Sequence, residues 1–246
     1  MPHFFTAEDL SGCETVSIVG GDARHIALSL RMRVGESVTV SDRNARRYVC
    51  TLREIRPDAV TAVIQSAEKS LCEPPYRAVL FQALPKGDKM DLIVQKAVEY
   101  GVYAVVPVLS ARCISRPDAQ TMEKRLQRWN KIAREAAMQC GRDRLTQVLP
   151  CISFAEALRQ QRDDETLSLL CYEGDRTVSL KAALRGFDAC PAEIRFMVGS
   201  EGGFAEEEAR MASDAGWLPV GLGARILRCE SAPLYVLAAL SYEFEL

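Results

Sequence analysis

The apolar rhythm of this 246-residue chain changes once, at Glu73-Pro74-Pro75, and the change separates two kinds of fold. Upstream, the apolar runs are short and rich in β-branched residues: Ser37-Val38-Thr39-Val40, Tyr48-Val49-Cys50-Thr51-Leu52 and Ala59-Val60-Thr61-Ala62-Val63-Ile64. Turn-prone segments such as Asp42-Arg43-Asn44-Ala45 and Arg56-Pro57-Asp58 separate them. That pattern predicts a small β-barrel or sandwich, with one helical stretch at residues 22–32. Two adjacent prolines then mark a linker, since neither has an N–H to donate. The expectation is a β-rich domain over residues 1–72 and a second domain over residues 73–246.

Beyond the prolines, strands and helices alternate. Residues 78–84, 103–109, 167–172 and 194–198 read as strands, and 89–100, 122–140, 178–184 and 206–215 as helices. Ser153-Phe154-Ala155-Glu156 is a capping box that opens a further helix. The last stretch, 231–244, is apolar almost all round, which predicts a helix buried in the core or against a partner chain; Pro233 sits in its first turn. Apolar strands separated by helices imply an α/β domain whose parallel sheet is covered on both faces. Ligands of such sheets bind at the carboxyl ends of the strands.

Two glycine-rich turns fall at such ends, Val198-Gly199-Ser200-Glu201-Gly202-Gly203 and Gly221-Leu222-Gly223-Ala224-Arg225-Ile226-Leu227-Arg228-Cys229-Glu230. Glycine at this density means backbone that turns sharply or lies close to a ligand. No Gly-Lys-Ser/Thr follows, so a phosphate loop is excluded, and neither turn supplies Gly-x-Gly-x-x-Gly. Val198 stands where a hydrolase elbow needs glycine. A carboxylate at Glu201 would repel a phosphate, so the pocket suits a neutral or cationic ligand held by main chain, with an adenosyl cofactor one of several candidates. Glu201 could instead complement the dipole of the helix that follows. Arg228 and Glu230 either serve the site, pair with each other or cap the last helix. Cys229 reads as a small buried side chain rather than a nucleophile, and His3 and His25 as structural or RNA-facing.

Composition is that of an ordinary globular chain, 48% hydrophobic and 26% charged, with no apolar run of membrane-spanning length. The N-terminus lacks a basic start and a long apolar stretch, so no signal peptide is expected. Nine cysteines without a Cys-x-x-Cys pair, beside two histidines, argue for reduced thiols in a cytoplasm and against a metal site. Net charge is only −2, yet eight arginines between Arg24 and Arg56 face three acids, and from Glu201 onward eight acids face three arginines. The basic segment is either a nucleic-acid footprint or a solvated face.

Five segments in a fixed order then carry a resemblance: Lys86-Gly87-Asp88-Lys89-Met90, Gln95-Lys96-Ala97-Val98-Glu99-Tyr100-Gly101-Val102, Glu135-Ala136-Ala137-Met138-Gln139-Cys140-Gly141-Arg142, and the two glycine-rich turns. With Met1-Pro2-His3-Phe4-Phe5 and the stretch from Arg24-His25-Ile26 through Leu30-Arg31-Met32-Arg33-Val34-Gly35, the chain resembles the RsmE-type 16S rRNA (uracil-N3) methyltransferases of the SPOUT superfamily over essentially its whole length. The resemblance implies a PUA-like β-barrel that helps hold rRNA, then a parallel sheet with a deep trefoil knot that binds S-adenosylmethionine. It also implies a homodimer with the active site at the subunit interface. The cofactor residues carry over onto Val198, Gly199, Glu201, Gly202 and Gly203, and onto Leu222, Gly223, Ile226, Leu227 and Arg228. Leu170, Cys171 and Tyr172, with Glu173, would form a third wall. The chain departs from the family pattern at Ser200 (usually proline), at Cys229 and Ser231 (both usually threonine) and at Cys140 (often serine). Ser231 keeps a hydroxyl that can cap the last helix.

Methylation at uridine N3 requires loss of the N3 proton. Arg228 is the first choice to stabilise charge on the uracil, with Glu230 or Glu201 orienting it or accepting the proton. The expected substrate is 16S rRNA of the assembled small ribosomal subunit, with no membrane partner. Arg24, Arg31 and Arg33 in the first domain, and Lys86, Lys89, Lys96, Gln139 and Arg142 in the second, are the docking candidates. The alternatives are a relative acting on another RNA such as tRNA, and a non-catalytic RNA-binding relative.

Overall fold

A computed structural model describes residues 1–70, 72–160, 165–174, 177–187 and 189–246. Two compact units are formed, Met1–Glu73 with Ala137–Leu145, and Pro74–Ala136 with Thr146–Leu246. Residues 137–145 thus belong with the first unit, although a contiguous reading assigns them to the second.

In the first unit, β1 (His3–Phe5), β2 (Thr15–Val19), β3 (Ser37–Ser41), β4 (Arg47–Ile55) and β5 (Ala59–Glu68) form one sheet in the order β1-β3-β4-β5-β2. All pairs are antiparallel except β1 with β3, where His3–Phe5 lie beside Thr39–Ser41. Register shifts at Val49/Cys50 and Leu52/Glu54 bend β4, curling the sheet into a half-barrel. Alternate residues of β2 and β4 point into a core that includes Phe4, Leu10, Val16, Ile18, Val38, Val40 and Leu52. The single helix expected at 22–32 is replaced by one turn of α1 (Gly21–Arg24) and a π-helical turn, His25–Ser29. Leu30 N–H donates to the His25 carbonyl at 2.8 Å to close that wider turn, and Arg31 leaves it with φ +51°.

The same unit contains a buried charge network. Asp143 accepts from the Ser41 hydroxyl and from Arg47 Nε, both at 2.7 Å, and Arg47 Nη2 also reaches the Gly141 carbonyl. Glu73 accepts from Arg142 Nη2 at 2.6 Å and from the amides of Asp143 and Arg144 at 3.0 and 2.9 Å. Burial pushes the His3 imidazole pKa down to about 4, against the raising effect of Asp143 and with the help of Arg47.

The second unit contains β6 (Arg77–Ala83), α2 (Lys89–Glu99), β7 (Ala104–Leu109) and all but the last turn of α3 (Ala119–Cys140). After these come β8 (Gln147–Val148), β9 (Ile152–Ser153), α4 (Phe154–Arg159), β10 (Thr166–Cys171), β11 (Val178–Ser179) and α5 (Leu180–Leu184). The unit closes with β12 (Glu193–Val198), α6 (Glu206–Asp214), β13 (Leu218–Gly221) and α7 (Ala232–Phe244). Its sheet runs β11-β13-β10-β12-β6-β7-β8, with β9 also on β7, and every pair is parallel. The central strands β6, β7, β10 and β12 are buried along most of their length, as strands covered on both faces must be. The Ser153 capping box forms in full: Glu156 N donates to Ser153 Oγ at 3.2 Å, and Ser153 N to Glu156 Oε2 at 2.7 Å. The helix expected to start at residue 178 starts at Leu180 instead, because Val178 and Ser179 pair with Val220 and Gly221. In α7, Val236, Leu237 and Leu240 are buried, whereas Tyr235 and Tyr242 are exposed, so this helix has an outer face. No helix among the described residues is long and apolar enough to cross a membrane.

Candidate active site

Three neighbouring parallel strands, β13, β10 and β12, end at one cleft of about 890 Å³. Its walls are Cys171–Gly174 after β10, Val198–Phe204 after β12 and Gly221–Glu230 after β13, with Lys89 and Arg112 at the edge. This is the position where an open parallel sheet binds ligands.

The loop after β12 is a tight main-chain turn. Gly203 N–H donates to the Ser200 carbonyl at 2.9 Å, and Gly203 has φ +64°. Gly202 packs on Arg112, whose Nη1 donates to the Gly202 carbonyl at 2.9 Å, while Ser200 Oγ donates to the Arg112 carbonyl at 3.4 Å. Serine in place of proline therefore leaves the turn closed. Beneath it, the fully buried Gln82 amide donates to the carbonyls of Ala83, Gly199 and Val198 at 3.0, 3.2 and 3.5 Å. Glu208 locks the flank, accepting from Ala111 N at 2.7 Å and from Ala205 N at 2.9 Å. Glu208, not Glu201, is thus the carboxylate that serves the start of α6.

The Glu201 side chain turns to the start of α2. Its two oxygens accept from Lys86 N–H at 3.2 and 3.3 Å, and Oε1 accepts from Lys89 Nζ at 2.7 Å. Lys89 also lies 3.7 Å from Glu230 Oε2, so one ammonium joins carboxylates from two cleft walls. Partial burial would raise the pKa of both carboxyls, but Lys89 and backbone amides outweigh it, joined at Glu230 by the Cys229 thiol, and hold both below the usual value. Burial and the adjacent Glu230 push the Cys229 thiol up to about 12. Cys229 is therefore a neutral donor, to Glu230 Oε2 at 3.2 Å, and not a nucleophile.

In the last loop, Gly223 has φ +106° and Arg228 is exposed on the cleft wall. The Arg228 carbonyl accepts from Ser231 N and Ala232 N, both at 2.9 Å, which ties the loop to α7. Ser231 makes no side-chain cap, contrary to the expectation for its hydroxyl.

The remaining expected residues separate clearly. Cys171, Tyr172, Val198, Gly199, Glu201, Gly202, Gly203, Leu222, Gly223, Ile226, Leu227, Arg228 and Glu230 line the cleft together. Leu170 does not; it is fully buried within β10. Arg24, Arg31, Arg33, Lys86 and Gln139 are exposed, whereas Lys96 pairs with Glu99 at 2.8 Å. One docking candidate is corrected, Arg142, which is buried on Glu73; Lys89 stands at the edge of the cleft. Sequence reasoning passed over Gln82, Arg112 and Glu208. Only Gln82 carried a signal, as the one amide within the apolar run Ala78-Val79-Leu80-Phe81-Gln82-Ala83-Leu84.

A cleft walled by glycine main chain, with two ionised carboxylates at its edge, fits a flat, hydrogen-bonding ligand that bears positive charge. A Cβ on Gly199 would collide with the backbone of Gly203, so the shape depends on glycine there. Comparisons with known proteins point the same way. The RNA methyltransferase domain family matches residues 72–241, and the RNA methyltransferase PUA domain matches residues 20–65. The chain is 31% identical to ribosomal RNA small subunit methyltransferase E of Bacillus subtilis, over 98% of this chain and 95% of that protein. It belongs to that family. A second member, from Mycobacterium tuberculosis, is 30% identical over 96% of this chain and 89% of its own length. The crystal structure of the Neisseria gonorrhoeae family member bound to S-adenosyl methionine is 36% identical, with a TM-score of 0.87 over 98% of this chain and 97% of that one.

Proposed function

We propose that this chain transfers a methyl group from S-adenosylmethionine to N3 of a uridine in 16S rRNA. Its substrate in this reading is the assembled small ribosomal subunit in the cytoplasm. The protein works as a homodimer, and the segments after β12 and β13 form the trefoil knot of the SPOUT methyltransferases. The observation that carries the reading is the convergence of the family's two glycine-rich motifs and the end of β10 on one cleft, with Arg228 exposed on its wall.

The main chain of 198–203 and 222–227, with Cys171 and Tyr172, would hold the cofactor, which supplies a methyl group activated by its sulfonium. The protein's own work is then alignment and electrostatics. Arg228 places a guanidinium where the uracil carbonyl oxygens gain negative charge as N3 loses its proton. Glu201 and Glu230, the two cleft carboxylates that Lys89 joins, are the candidates to receive that proton. Arg24, Arg31 and Arg33 dock RNA phosphates, which positions the substrate without specifying the base.

The test is methylation of purified small subunits and of tRNA, side by side, with labelled cofactor. Label in rRNA alone supports the reading, and label in tRNA alone overturns the substrate assignment.

A further inference from the structure

Three carboxylates line the cleft, Glu173, Glu201 and Glu230; Lys89 joins the last two beside Arg228, and the structure treats those two differently. Resting on the proposed function, the geometry points to Glu230 as the group that takes the uridine N3 proton, with Glu201 acting as a tether for its loop. Both Glu201 oxygens are engaged by the Lys86 amide, and Oε1 also holds the Lys89 ammonium at 2.7 Å. These donors stand at the start of α2, where the helix dipole favours an anion. Protonating Glu201 would give up a charge-assisted bond, among the stronger contacts a carboxylate can make.

Glu230 is held more lightly. A backbone amide of its own turn and the Cys229 thiol, a weak donor 3.2 Å from Oε2, are its partners, and Lys89 Nζ stands 3.7 Å away, beyond hydrogen-bond distance. Once protonated, Glu230 can keep the same contact with its direction reversed, O–H to sulfur. The charged groups around it are Lys89 from α2, Glu201 from the loop after β12 and Arg228 from its own loop. Lys89 and Arg228 favour the ionised form. Lys89 is thus a positioning residue that neutralises Glu201 and leaves Glu230 the less encumbered of the two.

Arg228 begins the turn that opens α7 and Glu230 lies within it, so one helix terminus sets the backbone position of both residues. In the step, the N3–H bond breaks and its proton goes to Glu230 Oε, while its electron pair stays on N3. That pair forms the N–CH3 bond, and the pair of the breaking S–CH3 bond leaves on sulfur. The proton then passes from Glu230 to solvent.

The test combines cofactor binding with single-turnover rates against pH, on small subunits, for wild type, E230Q, E230D and E201Q. E230Q is expected to bind S-adenosylmethionine within about threefold of wild type and to lose about 100-fold in rate at pH 7. Its rate should then climb about tenfold per pH unit, as hydroxide replaces the missing base. E230D, which keeps a carboxylate, should retain the wild-type shape of the profile at a lower rate. E201Q should bind the cofactor about tenfold more weakly, yet recover most of its rate when saturated. An E230Q enzyme with the wild-type rate and profile, or an E201Q enzyme showing the alkaline rescue instead, overturns the assignment. Wild type that methylates no uridine N3 overturns the functional reading itself, a separate result.

Discussion

A Cβ on Gly199 would stand 2.8 Å from the Cα of Gly203. The two glycines are the closing points of the turn after β12, and the obstacle is backbone, which cannot swing aside. Gly199→Ala should therefore open the turn while leaving β12 paired with β6 and β10. The expected result is a loss of S-adenosylmethionine affinity of about tenfold or more, at about 1.4 kcal/mol per tenfold, with an unchanged far-ultraviolet spectrum. Isothermal titration calorimetry checks it, and wild-type affinity would show that the turn is not part of the pocket.

Arg228 is exposed and tied to α7 only through its carbonyl, so its side chain can be removed without disturbing the loop. Arg228→Ala should bind the cofactor normally and lose about 100-fold or more in turnover, the usual effect of deleting one charge-stabilising donor. Equal turnover in the variant would remove Arg228 from the chemistry.

The basic residues of the first unit divide by burial. Arg31→Ala and Arg33→Ala should leave stability unchanged and lower the slope of log binding constant against log salt by about 0.7–0.9 for each phosphate no longer neutralised. Arg142→Ala should instead cost about 3 kcal/mol of stability, because it leaves the Glu73 carboxylate buried without its guanidinium. Binding titrations at several salt concentrations, with urea unfolding alongside, separate the two. An unchanged slope in the double Arg31, Arg33 variant would place the docking face elsewhere.

His3 makes the first unit sensitive to acid. Its folded pKa is about 4 against 6.5 for the free side chain, so the folded state keeps it neutral while the unfolded state protonates. This contribution is complete above pH 6.5, declines as pH falls and is fully lost below pH 4. The total is about 3 kcal/mol, from about 1.4 kcal/mol per pKa unit. Urea midpoints from pH 7.5 to 4 should fall more steeply for wild type than for His3→Leu. Parallel curves would mean that His3 does not sense pH.

Much of the second unit is legible in the sequence because its central strands β6, β7, β10 and β12 are largely apolar and its longer helices keep their own period. The ends of β6, α2, β7, β10, β12 and α6 fall within about two residues of the pattern-based spans, the usual uncertainty of such boundaries. Helix α3 begins earlier, at Ala119, because Asp118 accepts from the Thr121 amide at 2.7 Å and starts the helix before its apolar stripe. The short strands β1 and β11 owe their existence to partners far along the chain, which local propensity does not reveal. The same holds in the site. The two motifs mark its walls, but Lys89 lies 112 residues from the carboxylate it binds, and its basic neighbourhood reads as an RNA surface. Arg142 misleads for the opposite reason: its partner Glu73 is 69 residues away, and burial is invisible in a polar segment.

Methylation of uridine N3 in small-subunit rRNA stands or falls on nucleoside analysis. Small subunits from cells lacking this activity would be incubated with the protein and radiolabelled S-adenosylmethionine, and the rRNA digested to nucleosides. One labelled product is expected, 3-methyluridine, formed about 100-fold or more slowly when Arg228→Ala replaces the wild type. Label in any other nucleoside, or cofactor binding without transfer to the subunit, would show that uridine N3 is not the acceptor.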